Sequence, residues 1–266
     1  MTLRVAVLTT DTSHHRWFVQ QLVARSSSNV TVALVLFETR AYPWERNASR
    51  HRRANRLHPV RRWFLNPYNP SPRLDRAAAE WEEPRFFPAG NRSLSSSVRC
   101  EVVRSVNDLS AIAFIDEAAI DVIFVYGTGL VTPEVFTRTR LGAVNAHGGL
   151  LPDYRGLDTN LWAALQGHPE DMAVTLHQVD ASLDTGDVLS VERLGPRQDL
   201  CLASLRYETT VLCADMAVDL FEGLAADVLV RSPQMPGGEY FGPMPSLLKR
   251  CADRNIRRWV TTSNAS

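Results

Sequence analysis

Residues 3–37 run LRVAVLTTDTSHHRWFVQQLVARSSSNVTVALVLF, and they set the architecture of the chain. Leu3 to Leu8 is short and almost wholly apolar, as a buried strand is, and it ends in Thr9-Thr10-Asp11-Thr12-Ser13. Trp17, Phe18, Leu22 and Val23 then recur at helical spacing, with Asp11, Thr12 or Ser13 placed to cap that helix. Val30 to Phe37 is a second buried strand. Strand, helix, strand in such quick succession predicts a parallel sheet covered by helices and joined by right-handed crossovers. The first loop lacks G-x-G-x-x-G, so no dinucleotide fingerprint is present. It still lies at the carboxyl end of a strand, where open sheets hold their ligands.

The alternation resumes further along. Arg99 to Val103 reads as a strand, and Asn107-Asp108 as the cap of a helix from Leu109 to Ala119. Ile120 to Val125 is the clearest buried strand, ending in the turn Tyr126-Gly127-Thr128-Gly129-Leu130. A short helix over Pro133 to Thr137 precedes a strand at Gly142 to Asn145. Asp158 or Thr159 is placed to cap Asn160 to Gln166, and Gly167 to end it. Val174 to Gln178 is a further strand, and Val188 to Glu192 reads as one antiparallel to the rest. A long helix follows over Leu202 to Leu220, striped by Leu205, Leu212, Met216 and Leu220. A looser tail and a basic last helix, Lys249 to Arg258, complete the chain. The expected class is α/β: an open, mostly parallel Rossmann-like sheet with helices on both faces and a short C-terminal extension. Residues 1–200 form the expected catalytic domain, with a basic insertion at about 40–92, and 201–266 an extension rather than a second domain.

That insertion is the least regular part. Arg46, Arg50, Arg52, Arg53, Arg56, Arg61 and Arg62 surround Trp44, Leu57, Trp63 and Phe64, before Pro67, Pro70 and Pro72 break the pattern. A helix over Glu45 to Arg56 followed by a long loop fits. Two readings stand: an anion-binding flap for a phosphorylated substrate, or a solvated basic helix with an irregular excursion.

Over the whole chain, Lys+Arg and Asp+Glu balance at 29 each, giving no electrostatic reason to expect nucleic acid. No run approaches the roughly 18 apolar residues of a membrane span. The N-terminus enters a strand directly rather than a signal peptide, and Cys100, Cys201, Cys213 and Cys251 are scattered without Cys-x-x-Cys spacing. A cytoplasmic protein with reduced thiols is expected.

The chemistry concentrates in Asn145-Ala146-His147-Gly148-Gly149-Leu150-Leu151-Pro152-Asp153-Tyr154-Arg155-Gly156 and in His177-Gln178-Val179-Asp180-Ala181-Ser182-Leu183-Asp184-Thr185-Gly186. An Asn and a His two residues apart on an extended segment point the same way. The Asn amide is a neutral donor for a developing oxyanion, the His a proton carrier near neutral pH, and a carboxylate can orient the imidazole. No Ser or Cys has nucleophile spacing, which favours direct attack by an acceptor amine on an acyl-type carbon. His147, His177, Asp180 and Asp184 lack metal-ligand spacing, so no metal is expected.

These two blocks, with Tyr126 to Pro133, resemble the folate-dependent formyltransferases, which include methionyl-tRNA formyltransferase, glycinamide ribonucleotide formyltransferase and the nucleotide-sugar N-formyltransferases. The likeness covers about Leu3 to Val191, and the 37 residues from His147 to Asp184 are close to the family spacing. The resemblance implies a catalytic trio of Asn145, His147 and Asp184, with N10-formyltetrahydrofolate as formyl donor. The donor would lie against Gly129, Leu130, Val131, Val179 and Asp180, and the acceptor amine would enter past Thr10, Asp11, Thr12, Ser13 and Arg155. A neutral amine would attack while Asn145 and protonated His147 stabilise the oxyanion and Asp184 orients the imidazole. A cis Leu151–Pro152 bond is also implied. Gly149 stands where the family usually has Ser, and Gly148 where it often has Pro or Ala, which implies a freer loop lacking one hydrogen bond.

The transfer-RNA enzyme carries a basic C-terminal barrel, whereas 75 residues follow Val191 here and begin with a long helix. The expected acceptor is therefore a small-molecule amine, such as a nucleotide-linked amino sugar or specialised metabolite, and not transfer RNA or a membrane. Nucleotide-sugar members often dimerise through such C-terminal regions, so Tyr240, Phe241, Leu247 and Leu248 read either as a homodimer contact or as packing on the chain's own core. Two rival functions share the residues: a hydrolase that releases formate, and a catalytically weak folate-binding protein.

Overall fold

The computed structural model describes residues 2–39 and 72–265. Most of the basic insertion, including the expected Glu45 to Arg56 helix, lies outside the described residues. Strand β1 (Leu3–Thr10), helix α1 (Ser13–Ala24) and strand β2 (Val30–Glu38) form the expected opening unit. Next come α2 (Pro72–Phe86), β3 (Arg99–Val103), α3 (Leu109–Glu117), β4 (Val122–Tyr126), α4 (Pro133–Phe136) and β5 (Ala143–His147). Then follow β6 (Tyr154–Gly156), α5 (Thr159–Gln166), β7 (Ala173–Gln178), β8 (Val188–Arg193), α6 (Leu205–Ala225), β9 (Glu239–Phe241) and α7 (Ser246–Ser263).

Seven strands make one sheet in the order β3-β2-β1-β4-β5-β7-β8. The first five are mutually parallel, and β7 is antiparallel to both of its neighbours. The reversed strand is thus β7 and not β8, contrary to expectation. After His147 the chain stays at the carboxyl end of the sheet, because α5 has eight residues, about 12 Å of helix, and β7 starts beside the end of β5. On one face α1 and α6 bury Phe18, Leu22, Cys213, Met216 and Phe221 against Val5, Val7 and Phe124. On the other, Ala111, Ile115 and Val135 from α3 and α4 cover Ala6, Leu8, Ile123 and Val125.

Several local expectations changed. Part of the expected long loop is the helix α2, which docks through the buried Glu82 and its two-point ion pair with Arg206 of α6. Ser204, whose hydroxyl accepts from the Cys201 N–H, holds a turn that delays α6 to Leu205. Asp158 and Thr159 do not cap α5: the Asp158 carboxylate accepts the Met244 N–H at 2.7 Å and pairs with Lys249, and the Thr159 hydroxyl donates to the Gly148 carbonyl. Nor is the C-terminal tail loose. β9 pairs in parallel with β6, and Phe241 stacks between Tyr154 and Trp162. Leu248 packs on the α5–α7 core, while Tyr240 and Leu247 stay exposed. No described helix is long and apolar enough to cross a membrane.

Candidate active site

Strands β1, β4 and β5 end together, and β5 delivers Asn145 and His147 beside His177 and Thr175 of β7. The chain leaves β7 at the amino end of β5, where Val179 donates to the Ala143 carbonyl, and climbs back to bring Asp184 against both histidines. His147, His177 and Asp184 are all buried. Asp184 Oδ2 lies 3.7 Å from His147 Nδ1 and accepts the Gly156 N–H at 3.0 Å; Oδ1 lies 3.5 Å from His177 Nε2. Asn145 Nδ2 reaches His177 Nε2 at 3.0 Å, so Asn145 joins Asp184 through His177.

Carbonyl partners decide the tautomers. His177 Nδ1 is 2.8 Å from the Gln178 oxygen and His147 Nε2 is 2.8 Å from the Tyr154 oxygen; since a carbonyl only accepts, both of these nitrogens carry hydrogen. Neutral His147 therefore turns its Nδ1 lone pair toward Asp184. Burial holds the His147 pKa below its ordinary value, against the pull of Asp184 and the Tyr154 carbonyl. Burial pushes Asp184 up, yet the adjoining His177 and His147 imidazoles and the Gly156 amide together hold it below the usual carboxylate range. At neutral pH the site is an ionised carboxylate facing a neutral imidazole.

The loop after His147 is not the freer one expected. The Thr175 hydroxyl donates to the Gly149 carbonyl at 2.6 Å and accepts the Leu151 N–H at 3.3 Å. A Cβ on Gly149 would lie 2.5 Å from Thr159 Oγ1 and 2.8 Å from His147 Nε2, so glycine is what lets Thr159 close over the loop. Leu151–Pro152 is cis.

The residues assigned to the donor divide. Val131 and Val179 share one apolar cluster, and Leu130 is 67% exposed on a turn whose backbone is held by Glu38 and Asn107. Asp180 turns inward to its own loop, accepting from the Ser182 N–H and the Thr185 hydroxyl. Among the residues assigned to the acceptor, the Thr10 and Thr12 hydroxyls both sit on His15 Nδ1, at 2.7 and 3.0 Å, and Asp11 pairs with Arg16. Ser13 opens α1. Arg155 Nη2 donates to Gln234, and its buried Nε has no partner among the described residues.

Sequence reasoning passed over His177 as a hydrogen-bonding centre, although it stands in the second motif, and also Glu38. Its carboxylate, 5% exposed, accepts the Gly129 and Val106 N–H groups; a charge closing the apolar run of β2 was the available signal.

Residues 3–195 match the protein-family model described as formyl transferase. The chain belongs to that family. Similar curated proteins are the methionyl-tRNA formyltransferases of Delftia acidovorans, 36% identical over 130 residues (48% of this chain, 39% of the relative), and of Solibacter usitatus, 29% over 163 residues (60% and 51%). The chain thus spans about half or less of the length of these relatives. Among solved structures, a sugar N-formyltransferase from a Shewanella species aligns with TM-score 0.56 at 14% identity, covering 96% of this chain and 87% of that one. Glycinamide ribonucleotide transformylase 1 from Symbiobacterium toebii aligns with TM-score 0.54 at 17% identity, covering 88% and 94%. Such formyltransferases share this mixed sheet flanked by helices.

Proposed function

We propose that this formyl transferase family member moves a formyl group from N10-formyltetrahydrofolate to the amine of a small molecule, such as a nucleotide-linked amino sugar or specialised metabolite. One observation carries the reading: an ionised Asp184 is shared between His147 and His177, with the Asn145 amide bonded to the second imidazole. The apolar edge formed by Leu130, Val131 and Val179, on a backbone held by Glu38 and Asn107, fits a flat heterocyclic donor. When bound, that donor supplies an electrophilic formyl carbon.

The chain's own groups then divide the work. Asn145 spends one amide hydrogen on His177 and has a second for an oxygen that gains negative charge. His147, neutral at rest, takes the proton that the attacking amine must lose and returns it to the departing nitrogen of the donor as the C–N bond breaks. Asp184 faces Nδ1 of the resulting imidazolium and stabilises it, which the buried site does not do for a lone cation. Arg155, whose buried Nε has no partner among the described residues, and the Thr10 to Ser13 loop form the acceptor side.

The test mixes the protein with N10-formyltetrahydrofolate and a panel of nucleotide-linked amino sugars, other small amines and methionyl-tRNA, following tetrahydrofolate, formate and formylated amine. Amine-dependent turnover with a small acceptor, lost by at least a hundredfold in His147→Ala, is expected from the size of general acid–base contributions, about 10²–10⁴-fold. Formate release without an amine would make the protein a hydrolase. Turnover only with methionyl-tRNA would refute the small acceptor, and folate binding without turnover would leave a binding protein.

A further inference from the structure

Between Val230 and Tyr240 every residue except Gln234 is exposed. Gln234 Nε2 donates to the Gly186 carbonyl at 2.6 Å and to the Asp184 carbonyl at 3.2 Å, and Oε1 accepts from Arg155 Nη2 at 3.1 Å. The orientation of the carboxamide is dictated by its partners, because carbonyls only accept and a guanidinium only donates. One uncharged side chain thus bridges the backbone at Asp184 to Arg155.

The segment that carries Gln234 is anchored on both sides. Upstream, Ser232 and Val188 exchange two backbone hydrogen bonds at 2.9 Å each, and Arg231 donates to the Gln178 side chain. Downstream, Glu239 donates to the Asp153 carbonyl and β9 pairs with β6. Gly238 lies so near the loop that a Cβ would stand 1.8 Å from the Pro152 oxygen. Asp184, the residue being held, has φ +54°, in the left-handed region that few non-glycine residues adopt, Asp and Asn more readily than the rest. Gln234 also lies beyond residues 3–195, the part that matches the family model.

We propose that Gln234 is a positioning residue: its carboxamide fixes the left-handed turn that aims the Asp184 carboxylate at His147 and His177, and couples that turn to Arg155. This rests on the role given to Asp184 above. The C-terminal strap thereby completes the geometry of a site whose other parts come from the family-matched residues.

Two variants separate the contacts. Gln234→Glu keeps an acceptor for Arg155 but sets oxygen against the two carbonyls; Gln234→Met keeps the volume and removes both contacts. Both are expected to lower kcat about tenfold or more, with the acceptor KM unchanged in Gln234→Glu and raised in Gln234→Met, and with thermal midpoints near that of the parent. A second readout needs no turnover: the imidazole titration of His147 by NMR, assigned against His147→Gln. Because Asp184 raises the His147 pKa, loss of aim should move that titration downward in Gln234→Met, and away from the parent value in Gln234→Glu, where the new carboxylate acts against the loss. Parent-like kcat and parent-like His147 titration in both would overturn the proposal. Should the parent transfer no formyl group, the functional reading fails by itself, and the His147 titration still decides for or against Gln234.

Discussion

Gly149 shows how closely the site is filled. The space that a side chain at this position would fill is taken by the Thr159 hydroxyl and the edge of His147. Restoring a side chain there would displace both. Gly149→Ala is expected to cost about 1–3 kcal/mol in chemical denaturation, the range for overpacking a well-filled interior. It should also lower kcat by shifting His147, and Gly149→Ser should do no better. A Gly149→Ser enzyme as stable and active as the parent would show that Thr159 yields freely. The residue itself was plain in the sequence, but its neighbour Thr159 was assigned to a helix cap, which hid the contact.

At the level of elements, α1 begins at the N-cap Thr12 without the side-chain cap that Asp11, Thr12 or Ser13 was expected to provide. The Thr12 hydroxyl instead lies 3.0 Å from Nδ1 of His14 and of His15, and Thr10 adds a second hydroxyl to His15. Burial, with a smaller push from Arg206, lowers the His15 pKa from 6.5 to about 3, and burial likewise lowers that of His14. The unfolded chain therefore binds the His15 proton more readily than the folded one. Stability should be full above pH 6.5 and fall as pH drops from 6.5 toward 3, with a slope of up to about 1.4 kcal/mol per unit from this residue. Denaturation of His15→Gln across that window should show a flatter dependence; an unchanged slope would assign the effect elsewhere. The periodicity of α1, β1 and β2 was legible because it depends on neighbours along the chain. Cap use was not, because Asp158 and Thr159 of α5, like Thr12, are claimed by partners elsewhere in the fold.

The whole molecule extends past the part that matches the family. Phe221 of α6 meets Phe124 edge-on at 5.4 Å, and Phe124 stacks with Phe18 at 5.6 Å, so one face of the sheet is closed by residues beyond 195. We propose that residues 201–266 are no separable appendage. A chain ended at residue 195 should lose its cooperative thermal transition and aggregate through the bared sheet face; a truncated protein that melts cooperatively would refute this. By itself the sequence determined the seven strands of the main sheet in their chain order, the parallel opening of the sheet, and two motifs able to carry an Asn, a His and an Asp to one place. Those are properties of local apolar periodicity and of residue chemistry, both readable along a line. Only the tertiary structure decided that β7 is the reversed strand, that Gly149 leaves room for Thr159, and that Gln234, 50 residues from Asp184, holds its backbone. The strand reversal and the Gln234 contact depend on groups that arrive from distant parts of the chain, and Gly149 and Thr159, ten residues apart, meet only because the loop between them turns back on itself.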